Sequence, residues 1–280
     1  MTPVKLIATD LDGTLLRDDH ATISPANLAA LKAAAAKGIH IVCATGRSLS
    51  AVAPAVQALP IFRYFITCNG SAMVERGGHV IVRAALAHPD VEVILRYLKE
   101  EQPDILVELC ADGQMFVSEA HWARREELRL PPYHLHAFAS GTGRVIPSIE
   151  GYAEQHDLPV EKVNLPYDTP EQKAAVKAWG AGRFEGRLKM VSTLPYNLEI
   201  FDAVAGKDWG LLQICRHLGV RPEDCIAFGD ADNDTDMIKA AGIGVAMGNA
   251  LDEVKAAADF VTKTNEEDGV AYALSTLGVI

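Results

Sequence analysis

Asp10-Leu11-Asp12-Gly13-Thr14 follows directly on the apolar run Val4 to Thr9, so two carboxylates emerge where a buried strand should end. Residues two apart in a strand share a face, and we therefore expect Asp10 and Asp12 to project together. Gly13 allows the backbone to turn sharply beside a ligand. Two carboxylates this close repel each other unless a cation or a shared proton intervenes. The stretch predicts a strand end and a site for a hard divalent cation, with Mg²⁺ the first choice. A solvated turn is the alternative.

The composition indicates a soluble globular protein of two domains, with 280 residues of which 49% are hydrophobic. The net charge of −11 without a block of Lys and Arg argues against nucleic acid and favours a small-molecule partner. No apolar run reaches the length of a membrane-spanning helix, so we expect no membrane insertion. The five cysteines show no CxxC spacing, and the first predicted strand begins within a few residues of Met1. We therefore expect a reducing compartment and a cytoplasmic location.

The N-terminal part shows the pattern of a βαβ unit. Ser24 is a good helix cap and Pro25 a good first helical residue, which predicts a helix from Pro25 to Lys37. A second buried strand is predicted from Ile39 to Ala44. A further helix is expected from Ser48 towards Leu59, kinked or shortened by its internal proline. A third strand is predicted from Phe65 to Cys68.

After the third strand the regular alternation of predicted strands and helices is interrupted, which predicts an α+β insert between residues 84 and 203. A hairpin precedes it, with strands at 72–75 and 79–83 around two glycines. Within the insert, Thr169-Pro170-Glu171-Gln172 fits a capping box at the start of a helix. The remaining elements predicted there are a helix from Val91 to Glu101 and strands at 105–110, 115–118, 188–194 and 197–201. The segment 121–159 gives no readable pattern.

The parallel-sheet pattern resumes after Lys207, with a helix to Leu218, a strand at 225–228, a helix at 234–241 and two short strands near 244–248 and 259–262. The expected fold class is therefore α/β, with a Rossmann-like, doubly wound parallel sheet as its core and an inserted α+β domain. The expected boundaries are 1–83 and 204–280 for the core and 84–203 for the insert.

Polar groups follow several of the predicted core strands. Thr45-Gly46 offers a hydroxyl and an accessible amide, Lys207 a point charge, and the stretch Gly229 to Asp234 three carboxylates. In open α/β sheets ligands collect at the carboxyl ends of strands. Each group alone would be an ordinary turn or surface residue, but together they predict a phosphate and metal site.

With these residues assembled, the chain resembles the haloacid dehalogenase superfamily of phosphohydrolases. It is most similar to the Cof-type branch, which carries a class IIB α/β cap inserted after the third core strand. The resemblance covers essentially the whole chain. The matching motifs are DxDGT at Asp10 to Thr14, ATGR at Ala44 to Arg47, NG at Asn69-Gly70, the motif lysine Lys207, GDxxNDxxM at Gly229 to Met237, and the tail segments Val245 to Ala250 and Glu267 to Ala271.

The resemblance implies a role for each matching residue. Asp10 would be the nucleophile that forms an aspartyl-phosphate, and Asp12 the acid that protonates the leaving group and later activates water. Mg²⁺ would be held by the Asp10 carboxylate, the Asp12 main-chain carbonyl and Asp230, with Asp234 in the outer shell. The phosphoryl oxygens would be bound by Thr45, Lys207, Asn233 and the amides near Leu11 and Gly46.

The expected function is Mg²⁺-dependent hydrolysis of phosphate monoesters of small metabolites, with sugar phosphates as the first class to test. The resemblance also permits pyridoxal phosphate and flavin mononucleotide. The alternatives are a phosphomutase or phosphotransferase that returns the phosphoryl group to a sugar, a receiver-like signalling module, and a non-catalytic phosphosugar-binding regulator. A monomer or a small homo-oligomer is expected.

Overall fold

The computed structural model describes residues 3–127, 132–166, 169–192 and 196–280. The chain divides into two compact units. The core unit comprises Met1–Arg47, Val52–Arg83 and Gly206–Ile280, and the inserted unit comprises Ser48–Ala51 and Ala84–Ala205. The core thus resumes at Gly206, two residues later than the sequence indicated. The segment Ser48–Ala51 groups with the inserted unit because it pairs there, with the Ser50 amide donating to the Gly113 carbonyl at 2.9 Å.

The core unit contains an eight-stranded sheet in the order β14-β13-β12-β1-β2-β3-β4-β5. The six strands from β14 to β3 are parallel to their neighbours, and β4 and β5 add an antiparallel edge. The strands are β1 Leu6–Thr9, β2 His40–Ala44, β3 Phe62–Thr67, β4 Ala72–Glu75, β5 His79–Arg83, β12 Cys225–Gly229, β13 Ile243–Ala246 and β14 Phe260–Val261. Both β1 and β12 are buried along their whole length, as expected for central strands covered on both faces.

Helices complete the core unit, and their sequence signals explain most of their ends. They are α1 Pro25–Ala36, α2 Pro54–Gln57, α8 Lys207–Leu218, α9 Thr235–Ala240, α10 Asp252–Ala257 and α11 Gly269–Thr276. The Ser24 side chain caps α1 by accepting from the Asn27 amide, as predicted. Gly219 ends α8 in the left-handed conformation that glycine adopts without steric cost.

Several predicted elements of the core unit differ from the structure. The predicted helix from Ser48 to Leu59 is wrong, because Pro54 begins a new short helix rather than continuing an old one. A single 3₁₀ turn, Leu49–Ala51, precedes it. The third strand begins at Phe62, three residues before the predicted start. The helix predicted from Asp234 begins at Thr235, because the Asp234 side chain instead closes the preceding loop.

The inserted unit contains a six-stranded sheet in the order β10-β11-β9-β6-β7-β8. All neighbouring strands are antiparallel except β7 and β8. The strands are β6 Glu108–Ala111, β7 Gln114–Ser118, β8 Gly143–Ile146, β9 Val160–Pro166, β10 Leu188–Val191 and β11 Asn197–Asp202. The helices are α3 His88–Glu101, α4 Glu119–Ala123, α5 Pro132–Ala139, α6 Ile149–His156 and α7 Pro170–Gly180.

The sequence predicted some elements of the inserted unit correctly and missed others. The capping box at Thr169 and Gln172 is present and begins α7. The central strand β9 was missed, as were α4, α5, β8 and α6 in the unassigned segment. The strand predicted to reach Leu194 extends to Val191, and residues 193–195 lie outside the described residues.

The two faces of this second sheet differ in chemistry. One face packs on the apolar cluster that includes Leu109, Val163 and Ile200. Buried polar side chains lie elsewhere on the strands, among them Glu108, Lys162, Asn164, Asn197 and Glu199. Within the described ranges, none of the helices combines the length and apolar character needed to cross a bilayer.

Candidate active site

Three carboxylates meet at the carboxyl ends of β1 and β12. Asp10 follows β1, Asp230 follows β12, and the Asp10 amide donates to the Phe228 carbonyl at 3.0 Å. One carboxylate oxygen from each of Asp10, Asp230 and Asp234 lies within 4.8 Å of the others. We call these three side chains the acidic cluster. The parallel register of the two strands therefore brings together residues more than 200 positions apart.

Lys207 joins the acidic cluster as its cation. It is the first residue of α8, and its ammonium donates to Asp10 Oδ1 at 2.7 Å and to Asp234 Oδ1 at 2.6 Å. The side chain is almost completely buried. Burial alone would lower the pKa of Lys207, but the attraction of Asp10 and Asp234 outweighs it and raises this pKa above its ordinary value.

One ammonium does not balance three carboxylates. Burial raises the pKa of Asp10 well above its usual range; Lys207 offsets part of this, and the charges of Asp234 and Asp230 add to it. Burial and the neighbouring charge of Asp234 raise the pKa of Asp230 to about 7. The acidic cluster therefore carries more negative charge than the protein groups around it neutralise.

The hydrogen bonds of the acidic cluster leave two oxygens for a further ligand. Both oxygens of Asp234 are engaged, since Oδ1 accepts from Lys207 and Oδ2 accepts from the amides of Asp230 and Ala231 at 3.0 and 3.1 Å. Asp230 Oδ1 accepts from the Thr14 hydroxyl at 2.7 Å. Among the described residues, no hydrogen-bond donor reaches Oδ2 of Asp10 or Oδ2 of Asp230. Two carboxylate oxygens in a site of excess negative charge fit a hard divalent cation.

The turn after β1 wraps closely around this site. Leu11–Leu15 forms a tight turn in which Gly13 has a φ of +78°. A Cβ at Gly13 would lie 2.4 Å from Asp230 Oδ2, so only glycine fits there without displacing the carboxylate. Leu11 is fully buried and anchors the turn in the core.

Asp12 has different partners from Asp10. Arg47 donates to both of its oxygens, from Nε to Oδ2 at 2.9 Å and from Nη2 to Oδ1 at 2.5 Å. His20 Nδ1 donates to Oδ1 at 2.8 Å. Burial would raise the pKa of Asp12, but the hydrogen bonds from His20 and Arg47 outweigh it and lower this pKa to about 2. The strand itself ends at Thr9, so Asp12 lies in the turn rather than on a strand face, but it remains close enough to Asp10 for its charge to contribute to the raised pKa of Asp10.

Arg47 and His20 were the contacts that sequence reasoning missed. Arg47 stood in the ATGR motif without a role, and its position beside the predicted phosphate-binding pair Thr45-Gly46 was the signal available. His20 lies in a loop of no recognisable period, so no sequence signal could have found it.

The predicted phosphate-binding residues at the next strand ends lie around Asn69. Asn233 Nδ2 donates to Asn69 Oδ1 at 3.0 Å, and the Asn69 amide donates to the Thr45 carbonyl at 3.1 Å. A Cβ at Gly46 would lie 2.7 Å from the same Asn69 oxygen, so this close approach also requires glycine. Thr45 Oγ1 accepts from the Arg47 amide at 3.1 Å. Asn69, which received no role from the sequence, therefore ties the ends of β2 and β3 to the loop after β12.

The comparisons with known proteins agree with this fold. Residues 7–274 match the family model of the haloacid dehalogenase-like hydrolases. The chain is 30% identical over 271 residues to the 5-amino-6-(5-phospho-D-ribitylamino)uracil phosphatase YcsE of Bacillus subtilis, covering 97% of this chain and 94% of that protein. It is 32% identical over 273 residues to the phosphoglycolate phosphatase of Methanopyrus kandleri, covering 97% and 96%.

Similarity to solved structures is equally extensive. The sugar phosphatase BT4131, of haloacid dehalogenase subclass IIB, is 27% identical with a TM-score of 0.78, over 99% of this chain and 100% of that one. The chain belongs to the haloacid dehalogenase-like hydrolases, and its α/β core with an inserted cap is that of the Cof-type branch. The class of enzyme predicted from the sequence, a phosphatase, is confirmed.

Proposed function

We propose that the protein hydrolyses phosphate monoesters of small metabolites in two steps, through a phosphate ester of the Asp10 carboxylate. One observation carries this proposal. Asp10 is buried at a strand end, with Oδ1 fixed by Lys207 and Oδ2 without a donor among the described residues. A fixed carboxylate with one oxygen available is the arrangement needed for nucleophilic attack on phosphorus.

In the first step Asp10 Oδ2 would attack the phosphorus atom, and the alkoxide would leave with a proton. Lys207 both holds Oδ1 and offers positive charge to the phosphoryl oxygens, while the Thr45 hydroxyl, the Asn233 amide group and the amides near Leu11 and Gly46 would bind the remaining oxygens. Phosphoryl transfer depends chiefly on such positioning and charge. The arrangement of Asn233 and Gly46 around Asn69 supports this assignment.

Asp12 would transfer the protons. Its carboxylate is ionised in the described arrangement, which is the form that accepts a proton from water when the aspartyl ester is hydrolysed. An anionic phosphate beside it opposes this ionisation and favours the protonated acid in the first step. The two steps therefore use the same carboxylate in opposite directions.

Mg²⁺ is the cation we propose for the acidic cluster, held by the carboxylates of Asp10 and Asp230 and by the main-chain carbonyl of Asp12. When bound, it neutralises charge between the anionic nucleophile and the anionic phosphate. Asp234 would act from the outer shell, because both its oxygens already accept hydrogen bonds that hold Lys207 and the loop at Asp230. The Asp230 oxygen that lacks a donor and the excess negative charge around Asp10 support this cation assignment, and Asp10 Oδ2 would remain available for the attack.

The proposed substrates are phosphorylated metabolites of low molecular weight, with sugar phosphates first. The names of the relatives support this class, since one is a sugar phosphatase and others act on a phosphoribityl compound and on phosphoglycolate. We propose that the inserted unit, predicted from the sequence as residues 84–203, selects among them. A cytoplasmic monomer or small homo-oligomer that binds neither nucleic acid nor membranes fits the net charge of −11.

A phosphate-release screen tests the proposal. Wild-type protein with Mg²⁺ would be offered hexose and pentose phosphates, phosphoglycolate, pyridoxal phosphate, flavin mononucleotide and the phosphoribityl compound. We expect free phosphate from at least one of them, none with Asp10→Asn, and wild-type rates with Asp232→Asn, which removes an exposed acid from the same loop as Asp230. A protein that isomerised a sugar phosphate without releasing phosphate would be a mutase, and this outcome would refute hydrolysis.

A further inference from the structure

The Asp12 carboxylate is held from two sides by residues that no step above uses. Arg47 reaches both oxygens, and His20 reaches Oδ1. We infer that Arg47 and His20 are positioning residues, which hold the Asp12 carboxylate in the one orientation that serves its proton transfers. This inference depends on the proposed function, because it assigns a task only if Asp12 transfers protons.

Arg47 is itself immobilised. Its side chain is almost completely buried, its amide donates to Thr45 Oγ1, and its carbonyl accepts from the Cys68 amide at 2.9 Å. Its Nη2 donates to the His20 carbonyl at 2.9 Å as well as to Asp12. A planar guanidinium fixed in this way imposes its own plane on a carboxylate that it binds through two nitrogens.

His20 stands on a turn with an unfavourable backbone conformation. Its φ of +54° lies in the left-handed region, which is uncommon for a residue other than glycine. Such a conformation persists only when its surroundings enforce it. The turn is closed by hydrogen bonds from the His20 amide to the Arg17 carbonyl and from the Arg17 amide to the Thr22 carbonyl.

The base of this turn is anchored to the C-terminal part of the chain. Glu266 accepts from the Asp18 amide and from the Arg17 guanidinium, both at 2.9 Å. Asn265 Nδ2 donates to the Leu16 carbonyl at 3.1 Å and to the Asp18 side chain at 3.0 Å. Hydrogen bonds from a distant part of the chain therefore hold the strained turn, and its His20 side chain donates to Asp12. A solvent-facing loop without a task would not need this combination.

Positioning predicts a specific kinetic pattern. Departure of an alkoxide needs the proton of Asp12, whereas p-nitrophenolate leaves without one. If Asp12 is misplaced, kcat/KM should therefore fall by about 100-fold for an alkyl phosphate such as glycerol phosphate and change little for p-nitrophenyl phosphate. The kcat for p-nitrophenyl phosphate should fall too, because hydrolysis of the aspartyl ester still needs Asp12 as base. KM for p-nitrophenyl phosphate should fall in proportion to its kcat, whereas KM for the alkyl phosphate should change little.

The experiment compares Arg47→Lys, His20→Gly and His20→Asn with wild type on both esters. Glycine and asparagine both tolerate the left-handed backbone at position 20, but only asparagine keeps a donor close to the place of Nδ1. We expect His20→Gly to lose kcat/KM for the alkyl phosphate but not for p-nitrophenyl phosphate. His20→Asn should retain most of the kcat/KM of wild type for the alkyl phosphate. Arg63→Lys is the matched control, since the exposed Arg63 binds the partly buried Glu75 through Nε and Nη2 at the far end of β3.

A double-mutant cycle separates positioning from direct phosphate binding. In the Asp12→Asn background, Arg47→Lys should cost almost nothing further. An equal fall in kcat/KM for both esters would overturn the inference, and so would additive losses of kcat/KM in the cycle. Either result would make Arg47 a phosphate ligand or a purely structural residue. Should Arg47→Lys fail to fold, the partly exposed His20 gives the same test. Failure of the proposed function would look different, because wild type would then release phosphate from neither ester.

Discussion

The core unit and the inserted unit both bury carboxylates on a sheet, but they neutralise them differently. In the inserted unit Glu199 is paired with Lys162, and Glu108 accepts from His134 Nδ1 at 2.7 Å and Asn164 Nδ2 at 2.6 Å. Each acid there has its own donors. In the core unit three carboxylates share one ammonium, and the pKa values of Asp10 and Asp230 are raised.

This difference in charge balance distinguishes buried acids with a structural role from buried acids with a functional role. Buried charges are tolerated when each is paired and hydrogen-bonded. The inserted unit meets this condition with its own side chains. The acidic cluster of the core unit does not, so it is stable in its ionised form only with an external cation. We therefore expect changes at the acidic cluster to affect Mg²⁺ binding and activity, and changes at the acids of the inserted unit to affect the free energy of unfolding instead.

The largest expected effect is that of chelation. Excess EDTA should abolish phosphate release, and added Mg²⁺ should restore it, because the cation completes the charge balance of the acidic cluster. Calcium should bind but support less turnover, since its looser coordination misplaces the nucleophile. Full turnover in excess EDTA would contradict the account of the core unit.

The second effect is that of removing the core ammonium. Lys207→Met should reduce kcat by about 10²–10³-fold, because the variant loses a fixed positive charge beside the phosphoryl group. Steady-state kinetics on p-nitrophenyl phosphate measures this loss. Circular dichroism of the same sample would check that the fold is retained, and a folded Lys207→Met of wild-type activity would show that the lysine has no part in catalysis.

A smaller effect is expected from closing the space beside Asp230. Gly13→Ala should weaken Mg²⁺ binding by about 10- to 100-fold, because the new methyl group displaces Asp230 Oδ2. Gly38→Ala is the matched control, since Gly38 has a similar φ of +83° but no atom within 4 Å of the added Cβ. Titration calorimetry with Mg²⁺ compares the two variants. Equal losses would mean that backbone strain, not contact with Asp230, causes the effect.

The smallest effect on the metal site is expected from the inserted unit. Lys162→Met removes the ammonium that donates to the buried Glu199 and should lower the free energy of unfolding by about 3–5 kcal/mol. Its Mg²⁺ affinity should equal that of wild type. Urea unfolding and titration calorimetry measure both quantities. If Lys162→Met bound Mg²⁺ as weakly as Gly13→Ala does, the proposed difference between the two units would be wrong.

The same contrast explains which parts of the fold the sequence could predict. The core strands β1 and β12 are continuous apolar runs followed by acids, a pattern that marks both the strand and its functional end. Strand β9 has the sequence Val-Glu-Lys-Val-Asn-Leu-Pro and is buried at every position. Its Lys162 is paired with Glu199 and its Glu161 accepts from the Gly113 amide, both distant in the sequence, so no local pattern predicts their burial.

The site shows the same limit. Asp10, Lys207, Asp230 and Asp234 could be selected from motifs because each stands at a strand or helix end, and the structure brings them together. The contact of Asp12 with His20 could not be predicted. It depends on the turn at His20, whose base is anchored by Asn265 and Glu266 some 250 residues away.

The most direct test of the central claim, that Asp10 is the nucleophile and Asp12 transfers protons, is intact-protein mass spectrometry after acid quench. The substrate would be p-nitrophenyl phosphate with Mg²⁺, offered to Asp10→Asn and Asp12→Asn. Asp12→Asn keeps the nucleophile and should form the aspartyl-phosphate and then stall, because it loses a proton transfer worth ~10²–10⁴-fold in rate. We expect a phosphate adduct on Asp12→Asn and none on Asp10→Asn. An adduct on Asp10→Asn, or wild-type turnover by either variant, would contradict the assigned roles.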